Sequence, residues 1–203
     1  MFLQTLIGQL FKQSDGAQAN LRGGNLGELI TQELHGRYYE QVYRKNMFFA
    51  ANQAAQAVSV ALATTYTGLV VSNPAGSTVN MVLNKIGIAL SAAPAAIAPI
   101  GLITGYNAAG IVTHTTPLTP QSANIGSGAN CAGKADAAAT LVGTPAWSLP
   151  LMSGFTAAAL PSAGPQVIDV EGIIVIPPGG FAAIGALTAV TGLFSMFWEE
   201  VPV

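Results

Sequence analysis

The stretch EGIIVIPPGGFAAIGALT, residues 171–188, decides the fold of this chain. An apolar run ends at the corner PPGG, residues 177–180, and a second apolar run follows, which is typical of two β-strands joined by a sharp turn. After Glu171 no charged side chain occurs until Glu199. Because a soluble domain normally carries about 25% charged residues, the faces of these strands must be covered, and we expect other chains to cover the second side of the sheet.

The composition favours a strand-rich domain. The 203 residues are 51% hydrophobic and 8% charged, and they include 23 glycines and 12 prolines. This length allows one well-buried domain with an appendage. Many glycines and prolines suit short strands and turns better than long helices. The net charge of −2 offers no basic stripe of the kind that nucleic-acid binding requires.

The charged residues divide the chain into two regions. Residues 1–45 hold 9 of the 16 charged residues (7 basic plus 9 acidic), whereas the 48 residues between Lys85 and Lys134 carry none. We therefore predict an N-terminal arm over residues 1–55 and a β-domain over residues 56–203. The first residues lack a basic segment followed by a small-residue cleavage site, so we expect no signal peptide.

The arm is predicted to be helical or extended. Apolar residues recur at helical spacing between Leu26 and Val42, and Asn25 can cap the segment with Glu28 three residues later. Gly36 weakens its middle by about 1 kcal/mol, so one broken helix and two short helices both remain open. Since a lone helix of this size cannot bury its apolar stripe, the arm must pack on the main domain or on a neighbouring subunit.

The segment HGRYYEQVYRK, residues 35–45, mixes three tyrosines with basic side chains. Such mixing can serve single-stranded nucleic acid, or it can belong to a solvated helix face. The nearby glutamates favour a protein interface, where Tyr and Arg are common anchors. The expected anchors of the arm are Leu29, Leu34, Tyr38, Tyr39, Tyr43, Arg37 and Arg44.

From residue 56 onwards, short strand-like runs alternate with Gly/Pro corners, which is typical of an all-β sandwich or barrel. The candidate strands are 56–63, 67–73, 79–92, 96–106, 139–144, 146–152, 166–176, 180–189 and 192–203. Residues 107–138 are rich in Thr, Ser, Asn, Gly and Pro. We interpret this segment as a long projecting or intersubunit loop, because structureless loops of this length are usually functional.

No catalytic constellation is recognisable, and we expect no enzymatic activity, no metal and no cofactor. Cys131 is the only cysteine, and we interpret it as an incidental free thiol without a nearby histidine partner. His35 and His114 have no metal-ligand partner at suitable spacing. Asp169 and Glu171 alternate on one strand, so their carboxylates can share a face and bind a cation. A solvated strand face is the simpler interpretation of this pair.

Membrane insertion is an alternative, because residues 181–198 contain no charge and have apolar residues at helical spacing. However, glycines, alanines and hydroxyl side chains dilute this stretch, and no Lys or Arg flanks it. We therefore do not expect insertion. Uncharged faces on both sides of a sheet instead favour contacts with further copies or with a large assembly.

Four stretches together resemble structural proteins of tailed-bacteriophage virions, namely residues 28–55, 58–91, 173–186 and 194–203. The resemblance is to capsid decoration (cement) proteins and to head or neck fibres. It implies a jelly-roll-like β-sandwich preceded by the arm, a homotrimer or higher ring, and attachment to the major capsid protein or to other virion proteins. It also implies a location on the capsid surface or neck after synthesis in the host cytoplasm. A neck, tail or head-fibre component, a carbohydrate-binding jelly roll and a membrane protein are the alternatives.

Overall fold

Twelve strands and one short helix form the described part of the chain. The computed structural model describes residues 36–203 except 61, 109–112, 142, 144 and 155–163. Residues 40–203 form one compact unit. The elements are α1 (Tyr39–Tyr43), β1 (Met47–Ala51), β2 (Gln56–Val58), β3 (Thr65–Ser72), β4 (Val79–Leu90), β5 (Ala98–Tyr106), β6 (Thr113–Leu118), β7 (Gln121–Ser122), β8 (Lys134–Thr140), β9 (Ala146–Gly154), β10 (Gln166–Ile176), β11 (Gly180–Ala186) and β12 (Val190–Pro202).

The strands form two antiparallel sheets. Sheet 1 has the order β10-β4-β12-β1-β7, with β2 also paired to β12, and sheet 2 has the order β6-β8-β3-β11-β5-β9. Within them, β1-β12-β4-β10 and β3-β11-β5-β9 are the two four-stranded sheets of a jelly roll, in which the chain passes between the sheets through two Greek keys. The predicted jelly-roll-like β-sandwich is therefore confirmed.

Strand β1 corrects the predicted boundary of the arm. It lies within residues 1–55, yet it pairs along its whole length with β12, from Met47 opposite Glu199 to Ala51 opposite Ser195. Phe48 is buried in the core. Because the sequence MFFAA places an aromatic ring between the sheets, the sandwich begins before residue 56. Residues 1–35 of the arm lie outside the described residues.

Strands also replace much of the predicted loop 107–138. This segment contains β6, β7 and the beginning of β8. Strand β6 pairs with β8 at the edge of sheet 2, and β7 pairs with β1 at the edge of sheet 1. The segment therefore widens both sheets of the sandwich.

The core lies between the two sheets and follows the alternation of the strands. On β12, Phe194, Met196 and Trp198 all belong to it, as expected where successive side chains point to opposite faces. On β4 the core residues are Met81, Leu83, Ile86 and Ile88. Their alternation shifts by one because the pairing of β4 with β12 skips Asn84, which forms a β-bulge.

The strand β11 from the decisive stretch is buried on both faces. Ala182, Ile184 and Ala186 belong to the core between the sheets, whereas Phe181 and Ala183 belong to a second cluster. Because neighbouring side chains of a strand face opposite ways, this second cluster lies on the outer face of sheet 2. The lack of charge in β11 is thus explained by cover from its own chain.

The helical spacing within residues 181–198 does not correspond to a helix. These residues form β11 and the first part of β12. Among the described residues, no helix is long and apolar enough to span a membrane.

Candidate functional site

Exposed apolar side chains mark the end of sheet 2 formed by β5 and β9. Ile97, Trp147 and Leu187, which we call the Trp147 patch, are 60%, 38% and 57% exposed. The Leu187 N–H donates to the Pro99 carbonyl at 3.0 Å, and the Thr188 hydroxyl donates to the Ile97 carbonyl at 3.2 Å. These bonds fix the two loops that carry Ile97 and Leu187.

Two glycines position the indole of Trp147. A Cβ atom added at Gly101 would lie 2.9 Å from the Trp147 ring, and one added at Gly185 would also lie 2.9 Å from it. Any side chain at either position would therefore displace the ring. A cavity of about 260 Å³ lies beside the indole, between Leu149, Pro150 and Leu187. The indole ring of Trp147 therefore forms one wall of this apolar depression.

The Trp147 patch adjoins an open sheet edge. Among the described strands, β9 pairs with β5 alone, so its other side presents backbone donors and acceptors. An apolar patch beside an unpaired strand edge is typical of a surface that contacts another chain. We therefore consider the Trp147 patch the strongest candidate interface of the described residues.

A second exposed apolar surface lies on β10, the edge strand of sheet 1. Val167, Ile173 and Val175 are 70%, 73% and 49% exposed. The pairing with β4 is interrupted between Asp169 and Ile174, and both Glu171 and Gly172 have positive φ there. This bulge bends the edge strand and limits uncontrolled pairing with other strands.

The bulge also separates the two carboxylates proposed as a cation site. Asp169 forms an ion pair with Lys85 at 2.5 Å, and Glu171 lies within the irregular part of the strand. The two residues do not alternate along a regular strand. Within the described residues, no group of three or more His, Cys, Asp or Glu side chains could hold a metal ion.

His114 joins the edge strand β6 to β8. Its Nδ1 lies 2.7 Å from Oδ2 of Asp136, and the Asp136 side chain is fully buried. In catalytic triads an aspartate orients a histidine through a contact of this kind, but among the described residues no hydroxyl hydrogen-bonds to His114. The contact links neighbouring strands, while His35 lies outside the described residues.

Cys131 belongs to a structural cradle around Glu200. The Cys131 thiol donates to Oε1 of Glu200 at 2.9 Å, and the backbone N–H groups of Ala132 and Gly133 donate to the same carboxylate at 3.1 and 2.8 Å. Burial, together with the hydrogen bond and charge of Glu200, raises the pKa of the Cys131 thiol. Since the thiolate is the reactive form, this environment supports the interpretation of a non-catalytic thiol.

The predicted anchors of the arm are described only in part. Leu29 and Leu34 lie outside the described residues. Tyr39 and Tyr43, at the ends of α1, are 42% and 67% exposed. The Arg37 guanidinium lies 5.6 Å from the centre of the Tyr38 ring, and Arg44 pairs with Glu40 at 3.3 Å. Their role as anchors stays a prediction.

Comparisons with protein-family models, curated proteins and solved structures give no significant match to this chain. The functional argument therefore depends on the surfaces themselves. Sequence reasoning missed the Trp147 patch, although Gly101 and Gly185 within apolar strands were an available signal for close approach of another group. It also missed Asp136 and Glu200, whose partners are distant in sequence.

Proposed function

We propose that this chain is a non-enzymatic structural protein of a bacteriophage virion, and specifically a capsid decoration or cement protein. The observation that carries the proposal is the Trp147 patch beside the open edge of β9, in a charge-poor jelly roll. Such a surface is suited to contacts with further chains. A neck, tail or head-fibre component is the alternative within the same class.

The mechanism is mechanical. Each copy buries apolar surface against its neighbours, and burial contributes about 25 cal/mol per Å². In a homotrimer or higher ring this contribution is repeated at every symmetry-related contact. Subunits of the shell that contact the same ring are thereby held together, and no chemical step is required.

The number of copies per purified virion tests this role. On the order of hundreds of copies supports decoration, and about a dozen supports a neck or tail position, since closed symmetric assemblies fix the copy number. Quantitative mass spectrometry of particles purified from infected cells, with the major capsid protein as internal standard, gives this number. Absence of the chain from purified particles would contradict the proposal.

Substitution of the Trp147 patch tests the proposed interface. We expect Leu187→Asp to weaken self-association at least tenfold, because a buried unpaired carboxylate is costly, while the melting temperature stays close to that of the wild type. Sedimentation velocity at micromolar concentration measures the change. Ile125→Asp is the matched control, since Ile125 is 88% exposed and lies outside the patch. A wild-type monomer, or an unchanged Leu187→Asp oligomer, would argue against this interface.

A carbohydrate-binding jelly roll is the second candidate. A cavity of about 400 Å³ lies between Phe49 and the loop that follows β7, and it is lined by polar uncharged side chains such as Gln121, Ser127 and Asn130. An aromatic ring with amide and hydroxyl groups can bind a sugar. Binding to a glycan array that is lost in Gln121→Ala, with the virion copy number at zero, would favour this function over the first.

A further inference from the structure

The exposed apolar side chains of β10 lie on the outer face of sheet 1. Ile173 and Val175 are 73% and 49% exposed, whereas Ile176 belongs to the core and Ile174 packs against it. Because neighbouring side chains of a strand point to opposite faces, Ile173 and Val175 project away from the core. We call these two side chains the Ile173 ridge.

The Trp147 patch lies on the opposite outer face, that of sheet 2. The Trp147 ring packs against Gly101 and Gly185, and both glycines lie between residues of the core, namely Ile100, Leu102, Ile184 and Ala186. The glycines therefore face away from the core, and the ring lies on the same side. Since the two sheets of a sandwich enclose the core between them, the Ile173 ridge and the Trp147 patch point in opposite directions. They cannot contact each other within one copy.

The two surfaces have matching shapes. The cavity of about 260 Å³ beside Trp147 has no charged residue in its lining. An apolar cavity of about 150 Å³ can hold benzene, so this one has room for a branched aliphatic side chain. The Ile173 ridge supplies two such side chains next to the positive-φ bulge at Glu171 and Gly172, which bends the strand. A protruding apolar surface and a concave one are thus present on the same chain.

Charge favours contact between unlike sheets. The strands of sheet 1 carry a net charge of −3, from one basic residue, Lys85, and four acidic residues, which are Asp169, Glu171, Glu199 and Glu200. The strands of sheet 2 contain Lys134 and Asp136. The Asp136 side chain is fully buried against His114, so Lys134 is the exposed charge. Two copies that met through sheet 1 would bring like charges together, whereas contact of sheet 1 with sheet 2 avoids this repulsion.

The area that a stable contact requires gives a further reason. Specific interfaces bury about 800 Å² of each partner, which takes about 20–30 residues a side. The Trp147 patch contributes three exposed side chains, so a contact of the patch with itself needs additional surface and leaves the Ile173 ridge uncovered. Contact between patch and ridge covers both apolar surfaces in every copy, as expected where exposed apolar patches mark interfaces.

We propose that the Trp147 cavity of one copy binds the Ile173 ridge of the next copy. This inference rests on the proposed self-association through the Trp147 patch, and it names the surface that the patch meets. A contact between two different surfaces is heterologous, and repeated copies close into a ring when the rotation between them allows it. Because ridge and patch point in opposite directions, two copies cannot form both contacts at once. Closure therefore requires more than two copies.

Mixing two variants of the full-length protein tests the pairing. Leu187→Asp blocks the patch but keeps the ridge, and Ile173→Asp blocks the ridge but keeps the patch. We expect each variant alone to self-associate at least tenfold more weakly than the wild type, because a carboxylate would be buried without a partner. An equimolar mixture should form heterodimers that do not grow further, since one intact contact remains between unlike variants. Sedimentation velocity with one variant fluorescently labelled measures these complexes.

Two controls accompany the mixture. Val175→Asp also blocks the ridge, so its mixture with Ile173→Asp should stay monomeric. Ile125→Asp, whose aliphatic side chain is 88% exposed outside both surfaces, should associate like the wild type. Ile173→Ser, which adds no charge, replaces Ile173→Asp if the melting temperature of the latter falls.

Two results would overturn this inference alone. If Ile173→Asp kept the wild-type oligomer, the Trp147 interface would stand but its partner would be another surface. If the two variants were monomeric and formed no heterodimers, ridge and patch would not meet. A monomeric wild type would contradict both the Trp147 interface and the partner assigned to it. Absence of the chain from purified virions would contradict only the virion role, so the failure of each proposal is recognised separately.

Discussion

Replacement of Trp198 by alanine is expected to lower the free energy of unfolding by about 3–5 kcal/mol. Trp198 is completely buried, and it lies opposite Phe48 on β1 and Leu83 on β4. Its loss therefore leaves a cavity where three strands of sheet 1 contact sheet 2. Since domains are stable by only about 5–15 kcal/mol, the variant should be largely unfolded under mild denaturing conditions.

Urea unfolding followed by far-UV circular dichroism measures this effect. Trp198→Phe is the matched control, because it keeps an aromatic ring and loses mainly the contact of Nε1 with Glu200 at 3.5 Å. We expect it to cost about 2 kcal/mol or less. If alanine and phenylalanine were equally tolerated, Trp198 would not be part of a close-packed core.

Alkaline pH is expected to destabilise the protein through two buried groups. Burial raises the pKa of Tyr66 well above its ordinary value of 10.0, and burial with Glu200 raises that of Cys131 above its ordinary value of 9.0. The Tyr66 hydroxyl also donates to the Ile184 and Leu69 carbonyls at 2.6 and 3.0 Å. Both groups therefore retain their protons in the folded state at pH values where the unfolded chain releases them.

The sign of the effect follows from these raised pKa values. Below the pKa that each group has in the unfolded chain, its contribution to the free energy of unfolding is fully present. Above that pKa, the free energy of unfolding falls by about 1.4 kcal/mol per pH unit for each group. Cys131 lowers the free energy of unfolding above about pH 9, and Tyr66 lowers it above about pH 10. Together they should remove about 4 kcal/mol by about pH 11, which is comparable to the effect of a cavity in the core.

Urea unfolding at a series of pH values measures this loss. Cys131→Ala should flatten the decline from about pH 9, and Tyr66→Phe should flatten it from about pH 10, at a cost of about 1–2 kcal/mol at neutral pH. The double variant should lose both contributions. Identical slopes for the wild type and the double variant would mean that neither proton is held more tightly in the folded state.

The sequence predicts the strands whose apolar residues alternate, and it fails where alternation is absent. Five of the six residues of β6 are exposed, so THTTPL carries no apolar pattern and reads as a loop. Strand β8 is mostly alanine, which indicates neither face. Strand β1 is a five-residue apolar run, and periodicity alone cannot distinguish a short buried strand from a helix. Because β1 directly follows a charged segment, the charge pattern predicts that it belongs to the arm.

The candidate sites were less predictable than the strands, because they are made by contacts between distant residues. Glu200 reaches Cys131 across 69 positions, and His114 reaches Asp136 across 22. Gly87, Ser195 and Ala51 lie side by side only when β4, β12 and β1 are in register. No local pattern in the sequence specifies that pairing.

The central place of β12 in sheet 1 has a consequence for how the chain folds as it is made. This strand lies between β1 and β4 and also pairs with β2, yet residues 190–202 are synthesised after every other described strand. Translation proceeds at about 5–20 residues per second. Many seconds therefore pass between the synthesis of β1 and β2 and that of β12, and the apolar faces of β1 and β2 are not covered during this interval. Pairing between such distant segments is slow. The central position of sheet 1 therefore stays unfilled until β12 has been synthesised, so the two sheets cannot close around their common core before that point.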